Sequence, residues 1–201
     1  MKLSKYAGLF VGVVLSFGLL ACGGDKVISR VDSGAQIDLS GNWNDTDSQL
    51  VSKEMISESF SNPWADRFYS ENRRPPRVII GTVLNKSEEH INTETFVKDL
   101  QKNLINSGKA DFVASSSQRG ELRTERDEQA VNAKDAKRQR YEEAADFMLK
   151  GQINTIFDVE GKNQVKYYQI ELELINVESN RVVWIGQKKI KKYVSNKKYK
   201  I

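Results

Sequence analysis

The stretch "GQINTIFDVEGKNQVKYYQIELELINVESNRVVWIGQKKIKKYV", residues 151–194, decides the fold. Along it apolar and polar residues alternate, with Tyr168, Ile170, Leu172 and Leu174 on one side and Gln169, Glu171 and Glu173 on the other. A period of two is the signature of a strand with one covered face and one wet face. Turn residues at Glu160-Gly161-Lys162-Asn163 and Glu178-Ser179-Asn180 cut the stretch into three, which predicts an antiparallel meander.

Upstream the period changes. Asn44, Asp45, Thr46 and Asp47 supply capping oxygens and negative charge before Leu50, Val51, Met55, Ile56 and Phe60, which recur at helical spacing. This predicts a helix over about 46–60, stopped by Pro63-Trp64. After the breaker "NRRPPR", the β-branched run "VIIGTVLN" (78–85) reads as a buried strand. A helix follows from a Thr93 cap through Phe96, Val97, Leu100, Leu104 and Ile105 to a stop at Gly108, and then a short strand at Phe112-Val113. Residues 118–148 carry only a thin stripe of Leu122, Ala130, Ala133, Ala144 and Met148 amid dense charge, and read as one long helix or two consecutive ones. Helices first and hairpins last predict an α+β sandwich, a single mixed or antiparallel sheet packed with helices.

The N-terminus reads differently. In "MKLSKYAGLFVGVVLSFGLLAC", Lys2 and Lys5 precede an apolar run of roughly 15 residues, shorter than the ~20 of a spanning helix and typical of a secretion signal. Leu19-Leu20-Ala21-Cys22 resembles the bacterial lipobox, which implies cleavage before Cys22 and lipidation of that residue, the only cysteine in the chain. Gly23 stands where inner-membrane retention would favour an aspartate, so the resemblance implies the outer membrane, periplasmic side. The expected organisation is a signal peptide at 1–21, the lipidated Cys22 with a short flexible tether at 22–37, a globular domain at 38–194 and a basic tail at 195–201. Extended, the tether reaches roughly 50 Å.

Charge follows the same division. The formal net charge of +4 becomes +2 without Lys2 and Lys5, and seven lysines with no acid lie in 187–201, so residues 23–186 carry −5. Anionic lipid, anionic glycan or water are the expected surroundings of those lysines, and nucleic acid is not an expected partner.

Catalytic constellations are sparse. His90 is the only histidine, next to Glu88 and Glu89, and no Gly-x-Ser-x-Gly elbow or phosphate-binding loop occurs. Asp45-Thr46-Asp47 has a cation-binding form, but helix capping accounts for it. Glu142-Glu143 reads as a solvated face. No cofactor and no metal are expected. Trp43, Trp64 and Trp184 read as core. Tyr167 lies out of phase with the covered face, so with Glu171, Glu173 and Arg181 it is either an interface or filler on the second sheet face.

Several segments together resemble a known family: "DLSGNWNDTDSQLVSKEMI", "NPWADRF", "RPPRVIIGTVLNKSEEHINTETFVKDLQKNLINSGKADFVAS", "ERDEQ" and "AKDAKRQRYEEAADFMLKGQINTIFDVEGKNQVKYYQIELELINVESNRVVWIGQKKIKK". From about Asp38 to Tyr193 the chain is similar to the LpoB-type outer-membrane lipoproteins, activators of bifunctional penicillin-binding proteins. The resemblance implies a fold like the N-terminal domain of the TolB translocation protein. It further implies a non-enzymatic, monomeric lipoprotein that passes through the peptidoglycan to a non-catalytic docking domain of a class A penicillin-binding protein. The alternative is an envelope assembly or secretion accessory resembling CsgG-type lipoproteins, although no long amphipathic hairpin pair is visible. An envelope hydrolase is the weakest reading, given a single His and a single Cys.

Overall fold

A computed structural model describes residues 28–137 and 141–195. The chain divides into two units, Met1–Ser33 and Gly34–Ile201. The predicted signal peptide, Cys22 and most of the C-terminal tail lie outside the described residues.

The second unit is an α+β domain. Helix α1, Asp45–Ser59, begins at a reciprocal cap in which the Asn44 side chain accepts from Asp47 N–H while the Asp47 carboxylate accepts from Asn44 N–H. It buries Val51, Met55 and Ile56. Helix α1 stops ahead of Pro63 as expected, but a second helix that the sequence reading did not include, α2, Trp64–Asn72, starts at once, the Trp64 indole donating to Ser59 O at 2.7 Å and fixing the turn between them. Strand β1 covers Arg77–Asn85, and α3 covers Thr93–Ser107. The α3 cap is Asn92 rather than Thr93, and its stop is Gly108 at φ 65°, a left-handed position that suits glycine. Strand β2 is Asp111–Phe112.

Helix α4 spans only Ser116–Asn132, so the expectation of helix to residue 148 fails. The chain turns extended at Ala133, and Asp146 is already committed to the sheet: its N–H donates to Arg77 O, and its carboxylate accepts from Arg77 N–H and two Arg74 nitrogens, all at 2.7–2.8 Å. Met148 therefore lies in β3, Phe147–Glu160, which hairpins into β4, Asn163–Asn176, and then β5, Val182–Ser195.

The strand order is β2-β1-β3-β4-β5, with β1 parallel to both neighbours and β3-β4-β5 antiparallel. Helices α1 and α3 pack together over one face, where Phe96, Leu100, Tyr168, Ile170 and Leu172 are fully buried. Trp64 and Trp184 join that core, and Trp43 packs against it. Burying side chains of this size contributes roughly 1.5–3 kcal/mol each.

Strand β1 pairs no further than Asn85 with Ile153, so the three long strands run on as an arm. A strap of chain at residues 38–43 covers the arm's inner face. Tyr168 donates to Gly41 O at 3.2 Å, Lys192 to Asn42 O at 3.1 Å, and Trp43 sits 5.8 Å from the rings of both Phe96 and Tyr168.

Candidate partner-docking surface

The pleat of β4 sends Tyr167, Gln169, Glu171 and Glu173 to the face opposite the helices, where all four are half-buried. Register places Gln152 and Gln187 on either side of Glu171. The Glu171 carboxylate accepts from Gln152 at 2.9 Å, Gln187 at 3.2 Å and Gln169, while Tyr167 O–H donates to Gln169 Oε1 at 3.3 Å. Hydrogen bonds from Gln152 and then Gln169 hold the Glu171 carboxyl below the usual range, so the charge is fixed in place. Beside this network Glu173 is paired with Lys150 on β3 and with Ile185 on β5, which is 62% exposed.

Arg181 stands apart. It follows the β4–β5 turn, with its carbonyl accepting from Asn176 N–H at 2.8 Å. Its side chain borders a cleft of about 390 Å³ between α2 and that turn, lined also by Trp64, Arg67, Phe68, Phe147 and Val183. The sheet thus gathers Tyr167, Glu171 and Glu173 on one face, whereas Arg181 lies off that face, beside the cleft next to α2.

Gln152, Gln187 and Arg67 escape the sequence reading. The alternation in each strand put the glutamines on a wet face, but only register makes them partners of Glu171.

The acids near His90 divide. His90 is exposed, whereas Glu89 is an anchor that accepts from Lys166 at 2.8 Å, Tyr168 O–H at 2.9 Å and Trp43 N–H at 3.2 Å. Burial alone would raise its carboxyl, but Lys166, Trp43 and Tyr168 outweigh that and hold it low. Asp47 caps α1 and accepts from Lys192 at 2.6 Å. Among the described residues no group of three or more His, Cys, Asp or Glu is placed to hold a metal, and no helix is long and apolar enough to cross a membrane.

The fold and this surface define an α+β domain built on a mixed five-stranded sheet. Residues 47–190 match the family described as "Peptidoglycan-synthase activator LpoB", and the chain belongs to that family. The family's description, an activator of a synthase, is that of a regulatory role. The LpoB C-terminal domain from Escherichia coli is 14% identical over 72% of this chain and 98% of that chain, with a TM-score of 0.46. The same domain from Salmonella enterica gives 14%, 72%, 98% and 0.42. The NMR structure of E. coli LpoB gives 12% identity over 98% of this chain and 94% of that chain, with a TM-score of 0.42. No curated protein matches the chain.

Proposed function

We propose that the chain is a lipoprotein that activates a bifunctional class A penicillin-binding protein and catalyses nothing itself. The family match over residues 47–190 carries this reading. In it, residues 1–21 are removed, Cys22 is acylated and holds the protein on the periplasmic side of the outer membrane, residues 22–37 form the tether, and 38–194 dock as a monomer on a non-catalytic domain of the synthase. Peptidoglycan is a further contact in passing.

The docking region in this proposal runs from Glu171 and Glu173 on the open face round the β4–β5 turn to Arg181, with Tyr167 at its far border beside the β5 lysines. Three amides hold the central carboxylate, so docking gives up little side-chain freedom there. Exposed Ile185 and the aromatic floor of the Arg181 cleft supply apolar area.

Activation follows if the domain binds the synthase's active conformation better than its resting one. A difference of about 1.4 kcal/mol corresponds to a tenfold population shift. The test is glycan polymerisation by the organism's class A synthase with and without the mature chain. Stimulation that saturates with added protein is expected; an unchanged rate would reject the activator role.

A further inference from the structure

The arm of the sheet carries a second surface. Strand β5 holds four lysines within five residues, and the pleat sorts them. Lys188 and Lys192 point to the helix side and are neutralised, Lys188 by Glu54 at 2.6 Å and Lys192 by Asp47 at 2.6 Å and Asp38 at 2.9 Å. Lys189 and Lys191 point to the opposite face, are exposed, and have no acid within ion-pair distance among the described residues. Their cross-strand neighbours are Gln169 with Asn154, and Tyr167 with Ile156. Ile156 and Tyr193 on the same face are each 65% exposed. The arm's acids, Asp158 and Glu160, lie on β3, two strands away from β5. Cations interleaved with an aromatic and an aliphatic side chain suit the boundary between lipid headgroups and acyl chains.

Chain connectivity then matters. The strap at 38–43, through which the tether enters the domain, is held by Lys192 and Tyr168 at this same end of the sheet. The number of residues between Cys22 and the strap limits this end to roughly 50 Å, at full extension, from whatever Cys22 is fixed to, so a weak contact is populated. The sequence beyond β5 adds Lys197, Lys198 and Lys200.

We infer that the outward face of the arm, centred on Lys189, Lys191 and Tyr193, docks on an anionic lipid surface, so that the arm faces the membrane and the Arg181 end faces away. The biological relevance of this contact rests on the proposed anchoring at Cys22, but the contact itself does not require the lipid.

The test uses residues 22–201 carrying Cys22→Ser, sedimented with vesicles of phosphatidylcholine alone or mixed with phosphatidylglycerol. Binding to the mixed vesicles only, weakening as salt is raised, is expected. Lys189→Glu with Lys191→Glu should weaken it at least 25-fold, since removing one lysine near an anionic surface costs about fivefold. Lys98→Glu with Lys102→Glu, the same charge change on exposed α3 positions, should weaken it far less; circular dichroism checks that both variants fold. No vesicle binding, equal binding to both vesicle types, or equal loss in both variants would overturn the inference. So would retention by purified peptidoglycan in place of vesicles, or self-association abolished by the β5 substitutions. Mass measurement of native Cys22 and the polymerisation assay fail or succeed independently of this result.

Discussion

At the scale of single residues, two positions carry sharp consequences. Gly151 lies where β3 passes β4 so closely that an added Cβ would meet the Glu171 carbonyl and the Leu172 side chain. A backbone carbonyl paired in a ladder cannot swing away, so Gly151→Ala is expected to cost about 2–3 kcal/mol in urea unfolding. The Asp146 carboxylate ties Arg74 and the start of β1 to the start of β3. Asp146→Asn should cost about 2 kcal/mol by the same measurement, because charged hydrogen bonds are lost and Arg74 is left facing an amide. Burial alone would raise the Asp146 carboxyl, but Arg74 and the Arg77 N–H outweigh it and hold it low, as Lys166, Trp43 and Tyr168 do for Glu89. Carboxyls depressed by folding contribute stability that is complete above their unfolded values near pH 4 and is lost as pH falls through the lower folded values. The melting temperature should therefore be flat above about pH 5 and fall steeply below about pH 4, with a shallower fall in Asp146→Asn.

At the scale of elements, α3 and α4 have similar lengths and opposite standing. Helix α3 buries Phe96, Leu100 and Leu104, whereas no residue of α4 is buried. Helix α4 is held partly by Glu142, which meets Arg123 at 2.6 Å, Arg119 at 3.5 Å and Arg126 at 3.9 Å, and solvent screens pairs of this kind so that they add little. Leu122→Pro should thus reduce global stability by less than about 1 kcal/mol while abolishing slow amide exchange in α4, and Leu104→Ala should cost about 2–5 kcal/mol. This contrast explains what was legible in the sequence. The meander and α3 announced themselves by a strong apolar period, β1 by its β-branched run, and α1 chiefly by the capping oxygens of residues 44–47 ahead of Val51, Met55 and Ile56. Helix α2 was hidden because it is only nine residues long, begins directly after Pro63 with no side-chain cap, and has its start defined by the Trp64 contact to Ser59. Residues 133–146 looked helical because charge and alanine favour helix locally, while the clamp at Asp146 is a tertiary fact. On the candidate surface, alternation placed Tyr167, Glu171 and Glu173 on one face, but it could not give their partners Gln152 and Gln187. Arg181 shared a chain neighbourhood with them and not a face.

At the scale of the whole molecule, the domain has two distinct ends. The strap at 38–43 and the lysines of β5 mark one; the β4–β5 turn, α2 and the Arg181 cleft mark the other. Along β4, Gln164, opposite Val194, is twelve residues from Asn176, or roughly 40 Å. That polarity suits an adaptor with one end leashed and the other presented. If the presented surface grips a synthase, the mature chain has affinity for the purified non-catalytic domain of the class A penicillin-binding protein, and a binding titration measures it. Saturable one-to-one binding is predicted, weakened at least tenfold by Glu173→Lys with Arg181→Glu and left unchanged by Lys98→Glu with Lys102→Glu. Absence of binding, or binding indifferent to the Glu173 and Arg181 changes, would show that this surface does not dock on the synthase.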